Sequence, residues 1–366
     1  MTSRRSVNAD VRAALPGWIA ARVLVTVAWF ASLVWIEVFR DGVRPDASQQ
    51  GLLAWDGSFY RGLAEVGYET VGREGIRFFP LFPLVGRALG AVVATPGFWL
   101  VVVANIAALA AAALLHRLCV TDGFGAPVGA RAALLMALLP PAFVFVWGYA
   151  ESLLLVLAIG SFLALRRERW WWAAILGVLA GLTRPTGVLL ALPALIEAGR
   201  GWRSMRASDL PARLAAVAGP AVGAGAFFWW VQKVFGNWKL PLDVQNELRG
   251  GAANPFVRVM EAGVDLAKLD VHGLHFPFAV AMLALCVVAA RRLPASYAAY
   301  ASAVVLVSLS AHNLNSIERY GLNAFPLVIV LAMLLPRRPA ANAAYAVSAV
   351  GLVALTTMAW LQDYVP

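Results

Sequence analysis

The residues best suited to chemistry in this sequence are one carboxylate and two isolated arginines. Asp56 follows Trp55 in an apolar context, just before a stretch with the periodicity of an amphipathic helix. A carboxylate in this position serves either as a general base toward a hydroxyl group or as a helix N-cap, and the spacing alone favours neither role. Arg184 and Arg319 stand between apolar stretches. Each needs an anionic partner, either a carboxylate of the chain or a phosphate held by the planar guanidinium.

Three further polar residues have structural and functional interpretations side by side. Glu151 begins a predicted helix beside Ser152, where its charge either stabilises the helix N-terminus or contacts a substrate. Glu151 and Glu318 are also candidate carboxylate partners for the two arginines. His312 is interpreted as a hydrogen-bonded structural residue rather than a metal ligand, because the four histidines show no zinc-binding spacing.

The sequence excludes several classes of site. Cys119 and Cys286 are the only cysteines, so there is no disulfide framework and no cysteine-rich metal site. A glycine-rich phosphate loop and a nucleophile elbow are both absent, which leaves nucleotide and acyl-transfer chemistry without support. The net charge of +10 does not indicate nucleic-acid binding. Most basic residues outside the long loops form short clusters beside apolar stretches, where membrane proteins carry them.

The elements that position these residues are predicted to be membrane-spanning helices. Of 366 residues, 61% are apolar and 14% are charged, and the mean hydropathy is +0.73. Soluble domains are typically about 45–50% apolar and about 25% charged. Several apolar stretches reach the roughly 17–25 residues that cross a bilayer as a helix. The chain is therefore predicted to be an all-α polytopic membrane protein.

Basic clusters set the predicted topology. Arg4, Arg5 and Arg12 precede the first apolar stretch and place the N-terminus in the cytoplasm. Five later basic clusters are assigned to the cytoplasm as well, so the spans between them come in pairs. About eleven spans result, at residues 16–38, 97–117, 130–147, 151–166, 170–184, 186–198, 213–235, 275–291, 295–311, 320–336 and 341–361.

Phe78–Thr95 is not counted as a span, because counting it would move Arg117 and Arg131 outside. We interpret it as an interfacial or re-entrant helix within a first outer loop, residues 40–96, that carries interfacial helices and Asp56. Residues 236–275 form a second long outer loop. The whole chain, residues 1–366, is predicted to be one integral membrane domain.

On this topology the polar residues collect at the outer face. An ionisable group held near the membrane costs up to about 2.5–3.5 kcal/mol, so it more often marks function than accident. We predict that substrate is bound by Trp55, Tyr60, Arg61, Tyr68, Glu151, Arg184, His312, Arg319 and Tyr320. Only three of the 30 basic residues are lysines, and alanine is frequent. This bias indicates a G+C-rich bacterial genome and therefore a bacterial plasma membrane.

The residues around Asp56 resemble the signature of the PIG-V family, mannosyltransferases that add the second mannose to GPI anchors and that have bacterial members. Three blocks carry most of the resemblance, Trp55-Asp56-Gly57-Ser58-Phe59-Tyr60, Ala64-Glu65-Val66-Gly67-Tyr68 and Phe78-Phe79-Pro80-Leu81-Phe82-Pro83-Leu84. Later blocks follow in the family's order, namely Pro140-Pro141-Ala142, Tyr149-Ala150-Glu151-Ser152-Leu153, Gly181-Leu182-Thr183-Arg184-Pro185-Thr186-Gly187, and Arg319-Tyr320 with Phe325-Pro326-Leu327. The similarity extends from about residue 50 to residue 330.

The resemblance implies a GT-C fold and an inverting transferase that takes mannose from a polyprenyl-phosphate-mannose donor at the outer face. It implies that Asp56 is the general base for the acceptor hydroxyl and that Glu151 assists substrate positioning. From charge and topology, Arg184 and Arg319 are expected to hold the carrier phosphate. GPI anchors are eukaryotic, whereas this composition is bacterial. We therefore expect a different lipid-linked or glycan acceptor in a setting of membrane lipids.

Alternatives stay open at this point. The sugar on the carrier is mannose or another sugar. The protein is alternatively a flippase or transporter of lipid-linked sugars, or a non-catalytic subunit of an envelope-assembly complex. Carboxylates such as Asp56 and Glu151 also suit Mg²⁺ or Mn²⁺. We expect no metal site and no cofactor, because a carrier monophosphate needs less charge compensation than a nucleotide diphosphate.

Overall fold

The computed structural model describes residues 2–204 and 206–366. About 81% of the chain is helical, and no strand forms within the described ranges. The predicted cytoplasmic position of the N-terminus depends in part on Arg4 and Arg5, whose side chains lie outside the described part of the chain. In chain order the helices are α1 (Thr2–Phe39), α2 (Asp46–Gln50), α3 (Asp56–Glu65), α4 (Tyr68–Val71), α5 (Leu81–Gly90), α6 (Pro96–Thr121), α7 (Ala126–Leu138), α8 (Glu151–Arg166), α9 (Trp170–Thr183), α10 (Ala191–Gly199), α11 (Leu210–Phe235), α12 (Leu240–Arg249), α13 (Pro255–Ala267), α14 (His275–Arg292), α15 (Ala295–Leu309), α16 (Ile317–Leu322), α17 (Phe325–Leu334) and α18 (Arg338–Leu361).

Many of these helices have the apolar character of membrane spans. Five stretches of the described chain are both long and apolar enough to cross a bilayer, namely Val7–Phe39, Pro96–Thr121, Ala207–Phe235, His275–Arg292 and Arg338–Leu361. Shorter apolar helices accompany them, and each of the eleven predicted spans coincides with helical structure. The all-α fold class is confirmed, and the chain is an integral, multi-pass membrane protein.

Three predicted spans differ in detail from the helices that form. The predicted span 186–198 begins in a 3₁₀ segment, Pro185–Leu190, and is α-helical as α10 only from Ala191. The predicted span 130–147 is helical as α7 only to Leu138, because Pro140 and Pro141 cannot continue an α-helix, and a 3₁₀ segment follows. The predicted span 320–336 is divided between α16 and α17, with Asn323 and Ala324 between them. The two long predicted loops contain short helices, α2–α5 in the first and α12 and α13 in the second.

The chain forms two compact units. The first comprises Met1–Gly67, Pro83–Val156 and Leu331–Pro366, and the second comprises Tyr68–Phe82 and Leu157–Val330. In the first unit, α1 packs against α6, α7 and α18 through small side chains that are fully buried. Small residues allow helix backbones to approach closely in lipid. The opposite side of α1 is an exposed apolar stripe formed by Ile19, Val23, Val27, Phe30 and Val34.

The second unit is built around the close contact of α9 with α11. Both helices carry glycines four residues apart, the spacing of close helix pairs in membranes. A Cβ atom on Gly181 would lie 2.1 Å from the carbonyl oxygen of Pro220, and one on Gly223 would lie 2.0 Å from that of Val178. Only glycine fits at these two positions. The contact fixes the end of α9, and Arg184 follows directly.

Candidate active site

Asp56 lies at the start of α3, in the first unit. The helix begins at Asp56 itself, and Trp55 occupies the N-cap position. Asp56 is therefore the first helical residue and not the N-cap residue that the sequence left as an alternative. The first three N–H groups of α3 are bonded to the Tyr149 hydroxyl and to the carbonyl oxygens of Ala54 and Trp55. The dipole of the helix favours a negative charge at this end.

The backbone immediately before Asp56 is strained. Trp55 has a φ of +56°, a left-handed value that large side chains rarely adopt. Such a conformation costs on the order of 1–3 kcal/mol and persists only where surrounding contacts impose it. Strain of this kind is common at functional sites. Its position next to the predicted catalytic carboxylate is consistent with a functional site at this turn.

Contacts within the first unit impose this conformation. The Trp55 indole donates a hydrogen bond to the carbonyl oxygen of Ala359 at 2.8 Å, near the end of α18. The backbone N–H of Asp56 donates to the Tyr149 hydroxyl at 3.3 Å. At the other end of α3, the Arg87 guanidinium donates to the carbonyl oxygen of Ala64 at 2.8 Å. The helix that begins with Asp56 is held at both ends.

An aromatic cluster lies next to this turn. The rings of Trp147 and Trp360 are 5.0 Å apart, and those of Trp147 and Tyr149 are 6.0 Å apart. Trp360 also donates its indole N–H to the carbonyl oxygen of Gly51 at 3.0 Å. All three rings are buried. Tyr149 is therefore fixed by packing as well as by its bond to Asp56.

Glu151 is fully buried at the first position of α8, two residues after Tyr149. This is the first-turn position at which the structural interpretation of the sequence placed Glu151. The neighbouring hydroxyl of Ser152 is buried and has no hydrogen-bond partner within the described part of the chain. The structure thus brings Asp56, Tyr149 and Glu151 together in one unit.

Two other predicted substrate-binding residues on α3 contribute to packing. Tyr60 is buried, with 2% of its surface exposed. Arg61 is half-buried, and its Cδ would lie 3.2 Å from a Cβ atom on Gly97, at the start of α6. These contacts fix α3 against α6. The predicted roles of Tyr60 and Arg61 toward a substrate stay predictions.

A second group of predicted residues meets at Tyr320, in the second unit. Three guanidinium groups lie against its ring, with their central carbons 4.6 Å (Arg249), 4.9 Å (Arg319) and 5.4 Å (Arg184) from the ring centroid. Arg319 also donates a hydrogen bond to the Tyr320 hydroxyl at 3.2 Å. Arg184 and Arg319 are buried, whereas Tyr320 and Arg249 are half-buried. We call these four residues the arginine cluster.

Arg249 is a member of the arginine cluster that sequence reasoning missed. It is the last residue of α12, and Gly250 follows with a left-handed φ of +71°. In sequence, an arginine followed by glycine is typical of an ordinary helix C-terminus, so nothing marked it as functional. In the structure its Nη2 donates to the carbonyl oxygen of Asn315 at 2.7 Å, and its own carbonyl accepts from Asn313.

Two histidines contact residues that lie within two positions of the arginine cluster in sequence. His275 Nδ1 is 2.7 Å from Glu318 Oε1, and both side chains are buried. Glu318 is thus engaged by a histidine, next to Arg319. His312 is exposed, and its backbone N–H donates to the carbonyl oxygen of Gly251 at 3.0 Å. No group of three potential metal ligands occurs among the described residues.

Tyr68 anchors the segment at the start of the second unit. Its hydroxyl donates to the carbonyl oxygen of Phe78 at 2.7 Å, and its ring lies 5.0 Å from that of Trp230. Arg73, five residues on, forms a paired hydrogen bond with Glu247 of α12. This contact lowers the pKa of Glu247 and raises the pKa of Arg73. The segment is therefore tied to both α11 and α12.

Comparison with known families defines the class of protein. Residues 78–311 match the profile of glycosyltransferase family 87, which has the GT-C fold. An all-helical, multi-pass membrane protein with this match is a glycosyltransferase of the GT-C type. Because the match covers more than half of the sequence, the chain belongs to glycosyltransferase family 87. None of the curated proteins shows a significant sequence match to it.

The match supports the predicted fold and reaction class at this level, and it does not by itself identify the PIG-V family. Glu151 and Arg184 lie inside the matched residues, and so does Arg249. Asp56 and Arg319 lie outside them. The predicted roles of these two residues are therefore supported by their own geometry and by the sequence motifs around them.

Proposed function

We propose that this protein is an inverting mannosyltransferase that transfers mannose from polyprenyl-phosphate-mannose to a lipid-linked or glycan acceptor. The observation that carries the proposal is the placement of Asp56, a carboxylate at a helix N-terminus behind a strained and firmly held tryptophan. The resemblance of this turn to the PIG-V signature supports mannose as the sugar. By the predicted topology, the reaction takes place at the outer face of a bacterial plasma membrane.

The reaction needs one base and one site for an anionic leaving group. Asp56 accepts the proton of the acceptor hydroxyl as its oxygen attacks the anomeric carbon of the sugar. The bond from that carbon to the carrier phosphate breaks on the opposite face, which inverts the configuration. The carrier phosphate departs with the bonding electron pair and an added negative charge.

The arginine cluster is suited to that leaving group. A phosphate bound by these guanidinium groups would accept charge-assisted hydrogen bonds from them, and arginine suits phosphate because its planar fork presents paired N–H donors. Stabilisation of charge that develops in the transition state is often the largest contribution to catalysis. The remaining proposed substrate contacts are Trp55, Tyr60, Arg61, Tyr68, Glu151 and His312.

Purified full-length protein tests the proposal. Wild type is incubated in detergent with polyprenyl-phosphate-mannose and a pool of lipid and glycan acceptors, and mannose transfer is followed by mass spectrometry. We expect Asp56→Asn to lower the rate by about 10²–10⁴-fold, the usual contribution of a positioned general base. Glu65→Gln is the matched control, because Glu65 ends the same helix and is exposed.

The outcomes separate the parts of the proposal. Transfer by wild type and by Glu65→Gln, but not by Asp56→Asn, supports donor and base together. Unchanged transfer by a folded Asp56→Asn protein contradicts the assignment of the base. Transfer that occurs only with another polyprenyl-phosphate sugar would keep the mechanism and replace mannose. Movement of the lipid-linked sugar across vesicle membranes without any glycosyl product would favour a flippase.

A further inference from the structure

A cavity of about 600 Å³ lies within the first unit, along α1 between Trp18 and Trp29. Helix α6 and Trp360 complete its wall, which is apolar apart from a few polar side chains including Arg22 and Asn105. The volume falls in the range of about 300–1,000 Å³ that is usual for small-molecule sites. Neither the predicted base nor the arginine cluster lines it.

Among the described residues that line this cavity, Arg22 is the one cation, and its hydrogen-bond partners are neutral. The guanidinium donates to the amide oxygen of Asn105 at 2.9 Å and to the carbonyl oxygens of Trp18 and Phe145, each at 3.0 Å. Within the described part of the chain, no carboxylate pairs with it. Guanidinium groups carry five N–H donors, so two remain after these three bonds. A cation within a membrane-spanning helix is costly and is stabilised there by backbone carbonyls or by an anion. Arg22 has the carbonyl partners, and its two remaining donors can hold an anion.

The position of the cavity on α1 indicates where such an anion comes from. The lining residues Trp18, Arg22 and Trp29 each directly precede a member of the exposed apolar stripe of α1. The cavity therefore borders a surface that is suited to lipid. An occupant that enters from the bilayer needs both a hydrocarbon part for the apolar wall and a negative charge for Arg22.

We propose that this cavity binds an anionic phospholipid, with its phosphate on Arg22 and one acyl chain along α1 between Trp18 and Trp29. Arginine favours phosphate because its planar fork presents paired N–H donors. Tryptophan rings suit the boundary between a lipid head group and its chains. A zwitterionic lipid leaves the charge of Arg22 without net compensation, and a free phosphate leaves the apolar wall empty.

Native mass spectrometry of the full-length protein tests this binding. Wild type is titrated with phosphatidylglycerol and with phosphatidylcholine of identical acyl chains. We expect wild type to favour phosphatidylglycerol by about tenfold, because the choline ammonium of phosphatidylcholine offsets the phosphate charge that compensates Arg22. Arg22→Gln should lose this preference. Arg40→Gln is the control, because it removes an equal charge from the same unit outside the cavity, where Arg40 pairs with Asp363.

A second variant keeps the test decisive if Arg22→Gln does not fold. Val102→Trp fills the cavity from α6 and leaves Arg22 in place. Its loss of bound phosphatidylglycerol would support the site, and its retention would overturn the proposal. Equal binding of the two lipids by wild type would also overturn it. The proposal would also be overturned if Arg22→Gln kept the preference for phosphatidylglycerol, or if Arg40→Gln lost that preference to the same extent as Arg22→Gln.

Discussion

Arg249 gives the sharpest quantitative test of the proposed phosphate site. The change is Arg249→Gln, which removes the positive charge 4.6 Å from the Tyr320 ring and keeps a side chain that can hydrogen-bond. Two unit charges 4 Å apart attract by about 4 kcal/mol at an effective dielectric constant of about 20. Arg249 is half-buried, so solvent reduces this value, and we expect roughly half of it to be lost. A loss of about 2 kcal/mol corresponds to a roughly 30-fold rise in the KM for the donor.

The assay is the initial rate of transfer at varied donor concentration, with the acceptor held constant. Arg258→Gln is the matched control, because Arg258 lies on α13 in the same predicted loop and pairs with Glu261 instead of the arginine cluster. A donor KM for Arg249→Gln within twofold of wild type would refute the reasoning. An equal rise of the donor KM for Arg258→Gln would mean that the total positive charge of the loop, and not a specific contact of Arg249, attracts the donor. A lower melting temperature without a change in KM would mean that Arg249 has a structural role only, through its hydrogen bond to the carbonyl oxygen of Asn315.

Three further predictions address packing, charge and metal dependence. Gly223→Ala should lower the melting temperature of the protein in detergent, because its Cβ would lie 2.0 Å from the carbonyl oxygen of Val178, and such overpacking costs about 1–3 kcal/mol or more. Gly225→Ala, on the same helix with open space around the added atom, should not, and equal destabilisation by both would contradict the argument. Because Arg73 lowers the pKa of Glu247, their contact stabilises the fold above the ordinary glutamate pKa of about 4.5 and is lost as the pH falls through the lower folded value. Hydrogen exchange of residues 73–77, corrected for intrinsic rates, should therefore be constant from pH 8 down to the ordinary glutamate pKa of about 4.5 and accelerate as the pH falls further, and Glu247→Gln should remove this pH dependence. Finally, transfer should persist in EDTA; its loss, with recovery on addition of Mg²⁺ or Mn²⁺, would show a metal requirement.

Composition and apolar spacing were sufficient to predict the helical fold. The spans contain few charges, and the long apolar stretches leave no other way to satisfy the backbone in lipid. The helix end that was predicted wrongly is one that proline determines. The apolar run around Pro140 and Pro141 is long enough to cross a bilayer, yet the two rings end α7 at Leu138. The length of an apolar run reflects the character of the side chains, whereas the end of a helix depends on where backbone hydrogen bonding stops.

The candidate site was predictable in part, and the limit has a physical reason. Asp56, Arg184 and Arg319 stand out because charges are unusual in apolar sequence. Arg249 lies in a polar loop, where an arginine has an ordinary explanation, and only the fold brings it to Tyr320. The strain at Trp55 was equally invisible, since a left-handed φ at a tryptophan follows from contacts with Ala359 and other distant residues.

The close contact between α9 and α11 has a consequence for how Arg184 is held. Where a Cβ on Gly181 would collide with the carbonyl oxygen of Pro220, glycine has only a hydrogen atom, which points at that oxygen. This is the geometry of a weak Cα–H···O hydrogen bond, and Gly223 makes the reciprocal contact with Val178. Helices in lipid gain little from hydrophobic association, so backbone contacts of this kind carry much of their cohesion. The backbone that leads into Arg184 is therefore held by contacts between main-chain atoms, which cannot change rotamer. The position of the Arg184 Cα atom, from which the guanidinium extends, is fixed as a result.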